Sequence, residues 1–326
     1  MKPRVLECPR CGGPLPRRAA LVRLVCEYCK NDVVLDRFWV KAADYRARLV
    51  EYRGEGEGAD CVEVSGTTLR VLGRLATGHS TDVLLARRAT RLSEQVVIKR
   101  LREAADEALL HNEQRVLGTL EQSDARGASH FTTLLPQRVG FGRIESAAGK
   151  PLAAVFREAT GFAHTLGQVA NAHARALDAR HLVWLGRRLL ELLGFIHRSG
   201  FVHGALVPAH ILVDAESHGA RLVGFSCAAA AGTRVARSDA EHADFYPEEM
   251  LGRRGMQPRD DLAMLARCLL WATANDATKL PAPLAEFLAE LGRTPSDDDA
   301  WQAEARLGLV AKQSFGAPRF VKLDMP

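Results

Sequence analysis

Four cysteines constrain the N-terminal end of this 326-residue chain more tightly than any other feature constrains the rest. They form two Cys-x-x-Cys pairs, Cys8 with Cys11 and Cys26 with Cys29, and fourteen residues separate the pairs. Each pair fits a knuckle turn that aims two thiolates at one point. The intervening segment 15–25 is long enough for a hairpin that brings the knuckles together. Four thiolates then close a tetrahedral shell around Zn2+ and leave no open position, so the predicted site is structural and not catalytic. Metal binding supplies most of the folding free energy of a unit this small. A redox site would need only one pair, and an iron–sulfur site is the minor alternative. The other three cysteines, Cys61, Cys227 and Cys268, are isolated, and an odd total of seven argues for metal and free thiols over a disulfide framework.

Composition excludes several classes. Hydrophobic residues make up 47% and charged residues 25% of the chain, an ordinary globular balance. The net charge of +5 is mild and spread out, unlike the concentrated charge of a dedicated nucleic-acid binder. Arg4, Arg10, Arg17, Arg18, Arg23 and Lys30 do crowd the start, which keeps nucleic-acid binding by the ribbon open. The first residues carry no apolar secretory core, and no run approaches eighteen apolar residues. The expectation is a soluble, cytoplasmic protein without membrane partners.

Along the chain, the ribbon is expected over 1–36 and a linker over 37–60, helical across 36–52 and broken at the glycines of 54–58. Strand-like alternation follows over 67–75, 82–88 and 95–100, then a helix over 103–120 with apolar Ala104, Ala108, Val116 and Leu120. Strand character returns over 136–144 and 151–156. Beyond Gly161 the chain turns helical, with a strong stripe over 181–199 ending before Gly200, and another apolar helix over 260–274. Strands first and helices afterwards predict an α+β fold in two lobes, 61–160 and 161–326.

Ordered segments within these lobes resemble the protein-kinase family. Residues 75–83, Leu-Ala-Thr-Gly-His-Ser-Thr-Asp-Val, are similar to its glycine-rich loop, with Gly78 retained. Val96-Val-Ile-Lys99 resembles the strand that carries the family's lysine, and 112–117 resembles the helix that carries its partner glutamate, here Glu113. Residues 201–213 resemble the catalytic loop, Leu222-Val-Gly-Phe-Ser226 falls where D-F-G belongs, and Tyr246-Pro-Glu248 where A-P-E belongs. Asp261 matches the buried aspartate of the large lobe. The resemblance covers about residues 65–300.

The departures from that pattern fall on the chemistry. Phosphoryl transfer in this family rests on positioning and charge neutralisation. The resemblance places Ala205 where an aspartate orients the substrate hydroxyl, Gly224 where an aspartate binds Mg2+, and His210 where an asparagine holds a second Mg2+. Imidazole is a poor ligand for that hard ion. By the same resemblance, Leu117, His203 and Phe225 keep the hydrophobic spine between the lobes, and Asp261 anchors the backbone near His203. Lys99 and Glu113 imply either residual nucleotide binding or a structural ion pair, and the decay of the phosphate cradle favours the structural pair.

The chain is thus expected to be a pseudokinase of bacterial type: no enzyme, but a scaffold or regulator for protein partners, with the zinc ribbon as a second docking module. A nucleotide-binding transferase is the alternative, and ATP binding is possible but not favoured. Among the remaining polar residues, His79 and Asp82 are expected to be solvated at the loop tip, and His164, His173 and His181 to lie on the surface. The acids at 297–299 are expected to cap a helix starting at Ala300. Segment 232–241 could hold a regulated loop, and the tail 315–326 could pack back on the domain or dock a partner.

Overall fold

The computed structural model describes residues 8, 11–15, 23–30, 32–34, 61–89, 94–145, 149–234, 236–237, 240–252, 255–293 and 299–326. The predicted helix and glycine break at 36–58 lie outside the described residues, as do most of the N-terminal arginines. At the N-terminal end, strand β1 (Arg23–Val25) pairs antiparallel with β2 (Asp32–Val34), flanking the second knuckle. Cys8, Leu15, Cys26 and Val33 form its small core. The described hairpin therefore brackets Cys26 and Cys29, whereas the hairpin expected between the pairs falls mostly on undescribed residues.

The alternating runs of the first lobe form one antiparallel sheet. Its strands are β3 (Cys61–Val64), β4 (Thr67–Thr77), β5 (Thr81–Arg88), β6 (Gln95–Leu101), β7 (Arg138–Arg143) and β8 (Leu152–Arg157), in the order β3-β4-β5-β6-β8-β7. Val64, Leu69, Leu84, Ala86, Val96, Ile98, Ala153 and Val155 fill the core on one face. Helix α1 (Glu107–Glu121) lies against the sheet and contacts β8. It begins after a short 3-10 turn at Ala104–Asp106, so Ala104 and Ala108 are exposed and do not form the predicted apolar face. The buried stripe is Leu110, Glu113, Val116, Leu117 and Leu120, a spacing that puts one carboxylate on the inward face.

The second lobe is mainly helical. Helix α2 (Ala128–Phe131) leads toward it, and α3 (Leu166–Ala172) opens with a Thr165/Gln168 capping box. Helix α4 (Ala179–Arg198) buries eleven residues and forms the central strut. Helices α6 (Pro258–Trp271) and α8 (Ala300–Phe315) pack on it, α7 (Ala282–Gly292) packs on both of these, and the short α5 (Glu248–Leu251) precedes α6. Asp299 caps α8 through the amides of Trp301 and Gln302 and pairs with Arg198 at 2.6 Å. Short strands β9 (His164–Thr165), β11 (Ile211–Asp214) and β12 (Gly219–Leu222) form a three-stranded sheet, and β10 (Phe201–Val202) pairs with β13 (Ala229–Ala230). One continuous core joins this lobe to α1. The two lobes and the cysteine unit make an α+β architecture. No helix among the described residues is long and apolar enough to cross a membrane.

Two surface expectations fail. Asp82 is only 9% exposed and pairs with Arg100 at 2.8 Å, because it shares the inward face of β5 with Leu84 and Ala86. His181 is 5% exposed in the first turn of α4 and accepts a hydrogen bond from the Trp184 indole at 3.2 Å. Burial pushes its imidazole pKa down to about 4, so it is neutral at pH 7.

Candidate functional site: an interlobe cleft and a four-thiol cluster

The cleft between the lobes has a volume of roughly 1030 Å3 and takes its walls from both. Leu75, Val83 and Val97 line it from the small lobe, and Leu212 and Leu222 from the large lobe. Lys99 projects into it from β6, and its Nζ donates to Glu113 Oε2 at 2.6 Å. Glu113 is 1% exposed, and its second oxygen accepts the Phe225 amide at 3.0 Å. One buried carboxylate thus ties the sheet, α1 and the start of the segment after β12 together. Its neighbour Asn112 extends the tie, with Nδ2 donating to the carbonyls of Ser226 and Ala228 at 2.9 and 2.8 Å. Asn112 stands in the quoted helix segment, but its side-chain role has no sequence signal beyond adjacency to Glu113.

Phe225 and His203 meet edge to face with centroids 4.7 Å apart, and both are fully buried with Leu117. His203 Nε2 donates to the Val223 carbonyl at 3.1 Å, and burial holds its pKa below the ordinary value. Asp261 is fully buried and accepts the amides of His203 and Gly204 at 2.8 and 2.9 Å and the His197 imidazole at 2.9 Å. Burial raises the pKa of this carboxyl, but the His197 contact and the backbone donors outweigh it, and the net shift is downward.

The three positions that the sequence resemblance matched to the family's acids and asparagine, Ala205, Gly224 and His210, lie close together. Ala205 is buried, and its carbonyl accepts a 2.7 Å hydrogen bond from His210 Nδ1. That bond leaves the lone pair of His210 on Nε2. Burial pushes the His210 pKa down to about 4, so the ring is uncharged at pH 7. The ring lies directly over Gly224: a Cβ built there would meet three ring atoms at 2.7–2.8 Å. Gly224 also has φ +84°, which side-chain-bearing residues rarely adopt. The Val223 amide donates to the His210 carbonyl at 2.9 Å and sets this register. An imidazole thus fills the space a side chain at 224 would need.

At the cleft mouth, Gly78 sits in the turn after β4, with its amide on the Thr81 carbonyl and its carbonyl accepting from Arg102 at 3.0 Å. Arg237, in the segment read as a possible regulated loop, crosses to the small lobe. It donates to Asp106 at 2.6 Å and to Ser80 at 3.2 Å, and its guanidinium also contacts His79. No periodic pattern marks Arg237 in the sequence, so this bridge was not legible.

The four cysteines predicted as ligands do converge. The Sγ atoms of Cys8, Cys11, Cys26 and Cys29 all lie within 4.8 Å of one another. Cys8–Cys29 and Cys11–Cys26 are each 3.6 Å apart, too long for a disulfide. A metal bound by four thiolates at about 2.3 Å gives tetrahedral edges of about 3.8 Å, so the donor set fits one tetrahedral ion. A Gly13 backbone hydrogen bond lowers the Cys11 pKa, but burial and the three neighbouring thiols push it up to about 12. Thiols so crowded are stabilised as thiolates by a cation.

No protein-family model matches the chain, and no curated protein sequence matches it. Among solved structures, that of vaccinia related kinase 3 superposes with a TM-score of 0.59. The match spans 86% of this chain and 99% of that one at 14% identity, a likeness of fold. The chain has a protein-kinase-like fold carrying a four-cysteine cluster that can hold a metal.

Proposed function

We propose that this chain is a catalytically inert, kinase-like scaffold that works by binding protein partners, with Zn2+ held by Cys8, Cys11, Cys26 and Cys29. The observation that carries the reading is the packing of His210 on Gly224. Gly224, which the sequence resemblance matches to the metal-binding acid of kinases, carries no carboxylate, and a Cβ there would meet the His210 ring at 2.7–2.8 Å. Ala205 supplies no group to orient an attacking hydroxyl. Losing charge-stabilising groups costs orders of magnitude each in transition-state stabilisation. Zinc bound by four thiolates would lock the knuckles and take no part in chemistry.

The test is phosphoryl transfer from radiolabelled ATP, with Mg2+ or Mn2+, to the chain itself and to generic protein substrates. The expected result is no transfer above that of the Lys99→Ala variant. Robust metal-dependent transfer that disappears on Lys99→Ala overturns the reading. A second reading, a nucleotide-binding transferase, draws support from Glu158 and Glu241, which line the cleft, and from the intact Lys99–Glu113 pair. Calorimetric titration with ATP, with and without Mg2+, separates the two. Tight binding lost on Lys99→Ala favours the second.

A further inference from the structure

The C-terminal tail lies on the large lobe as a bound peptide does. Helix α8 is capped at Gly316, where φ is +74°, and the chain bends at Ala317 and runs on without helix or strand to residue 326. From Val321 onward, burial alternates as in an extended strand. Leu323 is 5% exposed and Met325 packs on the core, whereas the Lys322 and Asp324 side chains are 76% and 78% exposed and pair with each other at 3.3 Å.

Two imidazoles read the tail's backbone. His218 Nε2 bonds the Val321 carbonyl and His173 Nε2 the Asp324 carbonyl, both at 2.8 Å. A carbonyl only accepts, so both nitrogens donate. His218 sits at the tip of the β11–β12 hairpin, where Asp214 bonds the Glu216 amide and the Ser217 hydroxyl and shapes the turn. Its ring is stacked between Trp184 at 4.5 Å and Phe320 at 4.3 Å. Tyr28, inside the second cysteine knuckle, meets the same Phe320 edge to face at 5.4 Å. The seat is therefore assembled from α4, the β11–β12 hairpin, the segment after α3 and the ribbon.

These are components of extended-peptide recognition: hydrogen bonds to the peptide's main chain, here at the Val321 and Asp324 carbonyls, give affinity, and pockets for alternate side chains give specificity. We propose that this seat is a peptide-binding site, held in cis by residues 320–325. Its partner in trans is an extended segment carrying the same pattern: Phe, two residues, Leu, one residue, Met. The proposal deepens the protein-binding reading by naming its surface, and it makes the ribbon a wall of that site. The tail then acts as a tethered competitor whose effective concentration holds the site shut in the resting chain.

The test uses a fluorescent peptide with the sequence of residues 316–326 and anisotropy titration of the metal-loaded chain. Two variants open the site: Leu323→Asp in the full chain, and a chain ending at residue 315. Both are expected to bind the peptide at least tenfold more tightly than the native chain. The peptide bearing Phe320→Ala and Leu323→Asp is expected to lose at least tenfold on either. The proposal is overturned if the opened, folded chains do not distinguish the two peptides. It also falls if both variants lose their folded structure, which would make the tail a permanent part of the core. Dimers formed by exchange of tails would assign the seat to a second copy instead. Phosphoryl transfer measured on the native chain reports on catalytic inertness alone, so failure of that reading is distinguishable from failure of this one.

Discussion

The contact between His210 and Gly224 can be broken from one side and repaired from the other. Gly224→Asp would place a Cβ 2.7 Å from two ring atoms of His210 and 2.8 Å from a third. The ring would have to withdraw by about 0.7 Å to reach ordinary contact distance. That movement works against the 2.7 Å bond from His210 Nδ1 to the Ala205 carbonyl. Overpacking of this kind costs about 1–3 kcal/mol, a side chain at positive φ about 1 kcal/mol, and a weakened buried hydrogen bond about 1 kcal/mol. The expected total is about 3–5 kcal/mol, or a melting temperature lowered by about 6–20 °C for a domain of this size. In the His210→Ala background the ring and its bond to Ala205 are gone, and the same Gly224→Asp change is expected to cost about 2–4 kcal/mol less. The assay is thermal unfolding of the native chain, both single variants and the double variant. If Gly224→Asp costs under about 1 kcal/mol beside an intact His210, or costs the same without it, steric exclusion at 224 is refuted.

Further outcomes follow from the other sites. Cys26→Ser is expected to abolish metal binding by the four-cysteine cluster, read by elemental analysis, and to unfold the ribbon while the kinase-like lobes still melt cooperatively. Asp261→Ala leaves the His203 and Gly204 amides buried without acceptors, so unfolding should cost about 2–5 kcal/mol less, measured by urea titration. His181 and His210 are both held near pKa 4, against an unfolded value of about 6.5. Between those values the unfolded chain binds protons that the folded chain refuses. Stability should therefore fall as pH drops from about 6.5 toward 4, by up to about 1.4 kcal/mol per pH unit per histidine. Melting curves from pH 7 to 5 check this, and His210→Ala should make the slope shallower.

What the sequence disclosed and what it hid follow one physical division. The sheet strands and α4 were legible because apolar residues repeat at the spacing their faces require, as with Leu182, Leu185, Leu189 and Leu193 on α4. The cysteine cluster was legible because the spacing itself encodes the knuckles. The start of α1 was misplaced because alanines are too weakly apolar to mark a face, and the chain used Ala104–Asp106 as a 3-10 lead-in. Asp82 could have been found: the alternation of β5 puts it on the same face as Leu84 and Ala86. His181 adjoins the apolar stripe of α4, and Trp184 three residues on gives it a partner within reach. The His210–Gly224 packing and the seating of residues 320–325 had no local signal. Both join segments that meet only after β11 and β12 pair and α8 has turned the chain back.

The polar ties around α1 link the two lobes through side chains of the chain itself. In a phosphoryl-transfer enzyme, ligand and metal contribute to fixing the lysine, the helix glutamate and the D-F-G segment. Here Glu113 reaches Lys99 with one oxygen and the Phe225 amide with the other, and Asn112 fastens two further carbonyls of the same segment. Arg237 adds a bridge from the large lobe to Asp106 and Ser80 at the cleft mouth. Every one of these contacts is internal to the chain, and none uses a group that a phosphate would have to supply. Ties of this kind are what the proposed scaffold reading requires, since they join the lobes through the chain's own groups. It also moves the question of control away from the cleft and toward the segments that cross between units, the Arg237 bridge and the C-terminal tail.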